Sequence, residues 1–241
     1  MSYLTQLVPG WARYRYRRLR RFAEHAANRQ RSPEQVFSRI YEDGLWGRGD
    51  GGFHSGSGSI DAYAVAYVQT LQRYIAEHAI RSVVDLGCGD FNVGKRIAEL
   101  GIDYTGADVV PALIRHHSAL YGSERVRFVQ LDIVNDALPD GDLCLIRQVL
   151  QHLSNEQIAR ILPRLARYPH VLVTEHYPAP GAHVRPNLDK THGHDTRIED
   201  DSAVFLDKPP FGARVNGVLL EHETQALKRP GEVLRTFRIT T

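Results

Sequence analysis

A short glycine-containing turn is the first part of the sequence whose residue types could do chemistry. In the segment VVDLGCGDFN, an apolar run leads to Asp85 and is followed by Gly87, Cys88 and Gly89. Glycines let the backbone turn sharply and let a ligand approach the main chain closely. Open α/β sheets bind their ligands in the crevice at the carboxyl ends of the strands. The segment therefore predicts a ligand site with a carboxylate at its edge.

Two phosphate-binding motifs are partly matched here, and each lacks a residue that its chemistry requires. A dinucleotide fingerprint would need glycine at position 92, which is Asn92. A P-loop would need Ser or Thr after Lys95 to hold magnesium, but Arg96 stands there. Both phosphate-binding interpretations therefore fail.

The turn and three later segments together resemble the class I methyltransferases that depend on S-adenosylmethionine (SAM). VVDLGCGDFN resembles their first motif, and Asp108 and Asp132 follow the second and third predicted strands. DLCLIRQVLQHLS corresponds to the fourth strand and the segment after it. The resemblance covers about residues 80–175 and implies SAM as cofactor, with S-adenosylhomocysteine (SAH) as product.

The resemblance also implies roles for individual residues. The glycine turn would wrap the methionine end of SAM, Asp108 would accept the ribose hydroxyls, and Asp132 would meet the adenine amino group. Without a ligand, Asp85 and Asp132 would serve as turn or cap acids, and Cys88 would be a small packing residue. The predicted cofactor-binding residues are Asp85, Gly87, Cys88, Gly89, Asp108, Val109, Asp132, Ile133, Gln148 and Val149.

Two histidines are candidates for a base that removes a proton from the methyl acceptor. His152 follows the fourth predicted strand, and His176 ends the fifth. Transfer to a hydroxyl or an ammonium releases a proton, so a base with a pKa near neutrality would help. Packing or capping is the alternative for each histidine.

The acceptor itself is predicted to meet residues on both sides of this domain. Trp46 and His54 lie in the glycine-rich segment YEDGLWGRGDGGFHSGSGS, which in this family often closes over SAM. Tyr177 adjoins His176, and Arg197 in HDTR could clamp an anionic acceptor. The alternative for the glycine-rich segment is a loose linker, and the alternative for Arg197 is a surface arginine without a ligand. HGHD at 192–195 has too few ligands for a metal site, so no metal is predicted.

Strands and helices alternate across the region that must position these residues. Five short apolar runs, beginning with RSVVDL and ending with HVLVTEHY, are separated by helical patterns. This alternation predicts an α/β fold with a doubly wound, Rossmann-like parallel sheet. The resemblance implies seven strands ending in an antiparallel pair, which GVLLEHE and EVLRTFRITT would form. Helix starts are predicted from the capping residues Ser32, Ser59 and Ser154.

Charge is concentrated near the beginning of the sequence. Of 241 residues, 42% are hydrophobic and the net charge is +2, which excludes a wholly disordered chain. Residues 1–31, however, hold eight arginines and one acid, Glu24, in a helical pattern with an aromatic stripe. This arm would either contact an anionic membrane surface or a nucleic acid, or pack on the domain through its stripe. Two cysteines make no disulfide framework, which favours a cytoplasmic protein.

These observations divide the chain into a basic amphipathic helix (1–31), a helical and glycine-loop lid (32–79) and a SAM-binding domain (80–241). The motif combination looks like a poorly characterised bacterial subgroup associated with envelope glycans and natural products. We therefore expect methyl transfer to a hydroxyl or phosphoryl-type oxygen of a sugar, a glycan precursor or a small metabolite. The alternatives are an RNA methyltransferase that uses the arginine arm, and a non-catalytic SAM-binding partner. The missing N-P-P-Y motif argues against nucleic acid as a partner.

Overall fold

The computed structural model describes residues 10–47, 52–56, 61–223 and 230–240. The predicted cap Ser59 and the first nine residues of the basic arm lie outside the described residues. In the ranges given above, no helix is both long enough and apolar enough to cross a membrane.

The strands of the described chain form one mixed sheet. They are β1 (Ser82–Leu86), β2 (Asp103–Asp108), β3 (Val126–Gln130), β4 (Leu143–Arg147), β5 (His170–Tyr177), β6 (Arg214–Glu223) and β7 (Val233–Thr240). Their order across the sheet is β3-β2-β1-β4-β5-β7-β6. β1 to β5 are parallel, and β7 runs antiparallel between β5 and β6. The predicted doubly wound sheet with a C-terminal antiparallel pair is confirmed.

The helices begin largely where the capping residues predict. They are α1 (Gly10–Asn28), α2 (Pro33–Glu42), α3 (Asp61–Glu77), α4 (Asn92–Ala98), α5 (Pro111–Tyr121) and α6 (Asn155–Ile161), with 3-10 turns at Leu150–His152, Leu162–Arg167 and Arg197–Asp200. Ser32 and Gln35 form a reciprocal capping box at the start of α2. Ser154 and Gln157 form another at α6. Each box satisfies two amide groups that the helix geometry leaves unpaired.

Alternating residues of the central strands face two apolar layers. Leu143 and Leu145 pack on one face with α3 and α4, while Cys144 and Ile146 pack on the other with α6. This alternation is the period of a strand that is buried on both faces. α3, which the sequence grouped with the lid, is therefore one of the helices that cover the sheet.

The register of the parallel strands brings the predicted site residues to one edge. Asp85 lies opposite Gly106 of β2 and Leu145 of β4, so the strands end at similar levels. Because all five point the same way, the segments after β1, β2, β3 and β4 meet at their carboxyl ends.

Candidate active site

The β1–α4 turn closes tightly because two of its residues are glycines. Gly87 and Gly89 have φ angles of +83° and +55°, in the left-handed region that L side chains rarely adopt. A Cβ atom on Gly87 would lie 2.4 Å from Val149 Cγ2, and one on Gly89 would lie 2.5 Å from Ser55 Oγ. The amides of Gly87 and Cys88 both donate to the Ala107 carbonyl, which ties the turn to the end of β2. The turn thus needs bare main chain at both positions.

Two carboxylates lie beside this turn. Asp108 ends β2 and accepts hydrogen bonds from the amides of Gly89 (3.2 Å) and Val110 (3.1 Å). Asp85 is the penultimate residue of β1 and accepts a hydrogen bond from the Tyr104 hydroxyl at 2.6 Å. Burial raises the pKa of Asp85 to about 6, although the Tyr104 hydroxyl and the Arg147 guanidinium both oppose that shift. Burial also raises the pKa of the Cys88 thiol, which fits a packing residue better than a nucleophile.

The segments after β3 and β4 supply the next part of the edge. Asp132 holds its own turn by accepting from the Val134 amide at 2.9 Å and from the Asn135 side chain at 2.6 Å. Gln148 has a left-handed φ of +55°, and its amide donates to the Thr174 carbonyl of β5 at 2.7 Å. This backbone turn brings Val149 against Gly87.

A short stretch of the glycine-rich segment is latched onto the β1–α4 turn. Ser55 Oγ accepts from the Asp90 amide at 2.7 Å, and the Ser55 amide donates to Asp90 Oδ2 at 2.8 Å. Tyr41 of α2 lies 2.8 Å from the same Ser55 hydroxyl, oxygen to oxygen. The predicted lid thus contacts the turn through reciprocal hydrogen bonds.

A cavity opens between this edge and the lid. Its lining includes Tyr67, Asp90, Arg147 and Gln151. It also includes all ten predicted cofactor-binding residues, which are Asp85, Gly87, Cys88, Gly89, Asp108, Val109, Asp132, Ile133, Gln148 and Val149. One wall is aromatic, because Trp46 lies 6.1 Å from Phe37 and 5.3 Å from Tyr41, centroid to centroid. The cavity therefore joins a carboxylate-rich floor to an aromatic wall.

His152 is the predicted base that lines this cavity. Its ring lies 5.1 Å from that of Trp46, and its Nδ1 lies 3.1 Å from the Gly193 carbonyl. A carbonyl only accepts, so Nδ1 carries the proton, and Nε2 accepts a long hydrogen bond from the Gln151 side-chain amide at 3.4 Å. Burial lowers the pKa of His152 to about 3, assisted by the nearby Lys190 ammonium. The ring is therefore neutral near pH 7 and suited to accept a hydrogen bond rather than to hold a full proton.

Glu175 and Arg197 hold the 3-10 turn that carries His152. Glu175 accepts from the amides of Leu150 at 2.9 Å and Gln151 at 3.2 Å, and burial raises its pKa to about 8. Arg197 donates to the carbonyls of Leu150 and Leu188 and to the Asn155 side chain, and it is only 2% exposed. The guanidinium is thus occupied by the protein itself, which does not favour the predicted role as a clamp for an anionic acceptor.

Three other predicted residues do not line the cavity. His176 points to the opposite side of β5 from Glu175, with its Nε2 at 3.1 Å from Glu232 Oε2. Tyr177 donates its hydroxyl to the Val204 carbonyl at 2.7 Å. His54 accepts from the Gly56 amide at 2.9 Å. Neighbours in a strand face opposite ways, so His176 and Glu175 could not both reach the cavity.

Arg147, Gln151 and Tyr67 are among the lining residues that the sequence interpretation missed. Arg147 ends β4 and lies over the Tyr67 ring, 5.1 Å from its centroid. Gln151 is 5% exposed, and its Oε1 has no hydrogen-bond partner among the described residues, while its Nε2 faces the Gln148 carbonyl at 3.4 Å. An arginine inside the apolar run LCLIR was a signal for the first. Nothing in the sequence distinguished Gln151 or Tyr67.

Comparison with known proteins gives one match to a family model. Residues 83–169 match the model described as a methyltransferase domain. No curated protein matches the chain.

Solved structures of methyltransferases share the fold at low sequence identity. The N-methyltransferase NodS from Bradyrhizobium japonicum, solved with SAH, has a TM-score of 0.58 at 14% identity, over 85% of this chain and 98% of NodS. The 1,6-didemethyltoxoflavin-N1-methyltransferase of Burkholderia thailandensis, solved with 1,6-didemethyltoxoflavin and SAH, has a TM-score of 0.55 at 19% identity, over 91% and 90%. The human N-acetylserotonin methyltransferase, solved with SAM, has a TM-score of 0.47 at 15% identity over 88% of this chain. This chain spans 61% of the length of that enzyme.

Proposed function

We propose that this chain, whose residues 83–169 match a methyltransferase domain, is a class I SAM-dependent methyltransferase that methylates a hydroxyl of a sugar, an envelope-glycan precursor or a small metabolite. The observation that carries this proposal is one cavity that joins the glycine turn and its carboxylates to Trp46 and His152. One end of the cavity suits the cofactor, and the other suits an acceptor.

The charges of the cavity floor fit SAM. The cofactor carries a sulfonium, an ammonium, a carboxylate and a ribose diol, and Asp85, Asp90, Asp108 and Asp132 line the floor together with Arg147. Each carboxylate oxygen can accept two hydrogen bonds, so Asp108 keeps capacity for ribose hydroxyls beyond its two amide donors. We assign Asp132 and Ile133 to the adenine, Asp85 to the ammonium and Arg147 to the carboxylate. Opposite charges at these positions favour the bound cofactor.

The glycine turn supplies the close approach that this binding needs. Side chains at Gly87 or Gly89 would collide with Val149 or Ser55. Bare backbone there allows the cofactor to lie against the main chain. The Ser55–Asp90 hydrogen bonds hold the lid against this turn.

The acceptor end offers an aromatic surface and two lone pairs. Trp46 provides a flat face on which a sugar or planar ring can stack. His152 Nε2, which lies 3.4 Å from Gln151 Nε2, and the unpartnered Gln151 Oε1 are both hydrogen-bond acceptors. A neutral acceptor with hydroxyl donors fits this pair better than a phosphoryl oxygen, which would bring only further lone pairs.

Bound SAM supplies an electrophilic methyl group on its sulfonium. Methyl transfer to the acceptor oxygen would leave SAH as the product and would pass the hydroxyl proton to solvent, because the pKa of His152 is lowered by burial to about 3. The protein contributes by holding the two reactants close and aligned. His152 orients the acceptor by accepting the hydrogen bond of its hydroxyl. The lone pairs of the hydroxyl oxygen then point away from His152 and are available to the methyl group.

Calorimetry with SAH tests the cofactor half of this proposal. Asp108→Asn is expected to weaken SAH binding at least ~10-fold, because it removes a charged acceptor of ribose hydroxyls. Asp103→Asn, at the exposed start of the same strand, is the matched control and should bind like the wild type. Equal affinity of the two variants would refute the ribose assignment.

A turnover assay tests the acceptor half. SAH release from SAM is measured against a panel of nucleotide sugars, methyl glycosides and small polyols. Turnover with a hydroxyl acceptor supports the proposal. SAH binding without turnover on oxygen or nitrogen acceptors would instead indicate a non-catalytic SAM-binding partner.

A further inference from the structure

Helix α1 exposes a row of apolar side chains to solvent. Tyr16, Leu19 and Phe22 are 67%, 67% and 73% exposed, and Ala23 and Ala26 on the same face are also exposed. Their spacing of three and four residues places them along one side of the helix. We infer that this outward face docks on an anionic membrane surface.

The opposite side of α1 is fixed to the domain by polar contacts. His25 Nε2 lies 2.9 Å from Asp195 Oδ2, and the Asn28 side chain donates to the His192 carbonyl at 3.1 Å. Arg21 forms ion pairs with Glu199 and Asp200. These residues are also spaced by four and three, so they define an inward edge. Leu19 and Phe22, the large members of the predicted stripe whose side chains are described, therefore face away from the domain, contrary to the expectation that the stripe would pack there.

The charge of this segment selects a negatively charged partner. Residues 1–31 hold eight arginines and one acid, and Arg15 and Arg20 lie exposed beside the apolar row. Arginines flanking exposed Leu, Phe and Tyr form the pattern of a helix that lies in a membrane interface. Apolar side chains enter the acyl boundary, while guanidinium groups contact anionic headgroups.

Two other occupants fit this face less well. A second copy related by two-fold symmetry would bring one basic helix against another, and like charges would repel. A nucleic acid would use the arginines but would leave Leu19 and Phe22 without an apolar partner. An anionic lipid surface offers an apolar partner to Leu19 and Phe22 and a negatively charged partner to the arginines.

The inward contacts connect this surface to the cavity. Asp195 also binds Lys190 at 2.9 Å, and the preceding Gly193 carbonyl receives the His152 hydrogen bond. Docking of α1 would thus hold the acceptor end of the cavity at a fixed place relative to the membrane. The membrane contact does not depend on the acceptor that the cavity takes.

Vesicle sedimentation of the full chain tests this inference. The probes are vesicles of phosphatidylcholine alone and of phosphatidylcholine with phosphatidylglycerol at 3:1. The wild type is expected to bind the anionic vesicles and to bind less as salt rises. Leu19→Ser with Phe22→Ser should weaken binding at least ~10-fold. Arg15→Gln with Arg20→Gln should remove much of the salt dependence.

Leu120→Ser is the matched control, because Leu120 is a 60% exposed leucine on α5. It should bind vesicles like the wild type. Failure of the wild type to bind anionic vesicles overturns the inference, and so does equal binding by the Leu19/Phe22 variant. A dimer in sedimentation velocity that the Leu19/Phe22 variant disrupts would assign the face to a second copy. Binding of poly(U) RNA without vesicle binding would assign it to nucleic acid. SAH affinity, measured alongside, reports separately on the proposed function.

Discussion

At the residue scale, the ionisation of Asp85 depends strongly on its surroundings. The carboxyl lies at the buried end of β1, where loss of water disfavours its charge. The Tyr104 hydroxyl and the Arg147 guanidinium stabilise that charge, and Asp108 opposes it. The resulting pKa of about 6 places the titration of Asp85 within an accessible pH range.

We expect SAM affinity to fall as pH is lowered through about 6. Above this pH Asp85 is ionised and attracts the cationic cofactor, whereas below it the carboxyl is neutral. The loss should approach at most ~10-fold per pH unit for one group. Calorimetry with SAM between pH 5 and pH 7 measures it. Asp85→Asn should bind weakly with a flat profile, and an unchanged pH dependence in that variant would exclude Asp85 as the titrating group.

His152 illustrates how burial changes the use of a side chain. A pKa of about 3 makes it a poor base at neutral pH, but its tautomer still presents Nε2 to the acceptor. We expect His152→Ala to lower kcat/KM for the acceptor ~10-fold or more with SAH affinity unchanged. His183→Gln, at an exposed loop position, is the control. The pH–rate profiles of the wild type and of His152→Ala are then compared. A titration near pH 7 that the wild type shows and the variant lacks would contradict the role of His152 as a neutral hydrogen-bond acceptor.

At the element scale, the β1–α4 turn and the segment after β4 fit together through one contact. Gly87 approaches Val149 so closely that any side chain must displace it. Gly101, by contrast, has a similar φ of +79°, but a Cβ atom there would meet no described atom within 4 Å. Alanine at Gly101 would therefore introduce backbone strain alone, whereas alanine at Gly87 would introduce both backbone strain and a steric collision.

We expect Gly87→Ala to weaken SAH binding at least ~10-fold and to lower Tm more than Gly101→Ala does. Backbone strain alone costs about 1 kcal/mol, and only Gly87→Ala adds the collision. Calorimetry and thermal melting measure both effects. Adding Val149→Ala to Gly87→Ala should restore part of the Tm, since it removes the colliding methyl groups. Equal losses in the two single variants would mean that the contact is not tight.

At the scale of the whole molecule, α1 is connected to His152 through residues 193–195, which contact both. Lys190 and Asp195 form a buried ion pair, and His25 of α1 completes the cluster. Removing one member of such a cluster leaves charge exposed or unpaired, which is costly. The segment 190–200 in turn supplies the carbonyl that orients His152.

Deletion of residues 1–31 is therefore expected to lower Tm and acceptor turnover while leaving SAH affinity within ~3-fold. Loss of activity after this deletion would therefore not by itself indicate an RNA-binding arm. Arg15→Gln with Arg20→Gln is the control, since these exposed arginines make no described contact with segment 190–200 and should leave Tm unchanged. Full turnover in the truncated protein would contradict a structural role for α1.

The sequence by itself determined the order of elements, the glycine turn and the carboxylates after β1, β2 and β3. These features depend on local periodicity, capping boxes and backbone requirements, which neighbouring residues encode. It also indicated that His152 and Trp46 lie near the cofactor end of the sheet. The structure agrees, because parallel strands bring their carboxyl ends to one edge.

Only the tertiary structure decided which side chains face the cavity. His152 and His176 looked equivalent in sequence, but strand alternation turns His176 toward Glu232. Arg197 looked like a surface cation, yet it is buried against carbonyls that lie 47 and 9 residues away. The same holds for α1, whose apolar stripe faces solvent because acids at 195, 199 and 200 bind its other edge. Contacts between distant segments set these outcomes, and local patterns carry no information about them.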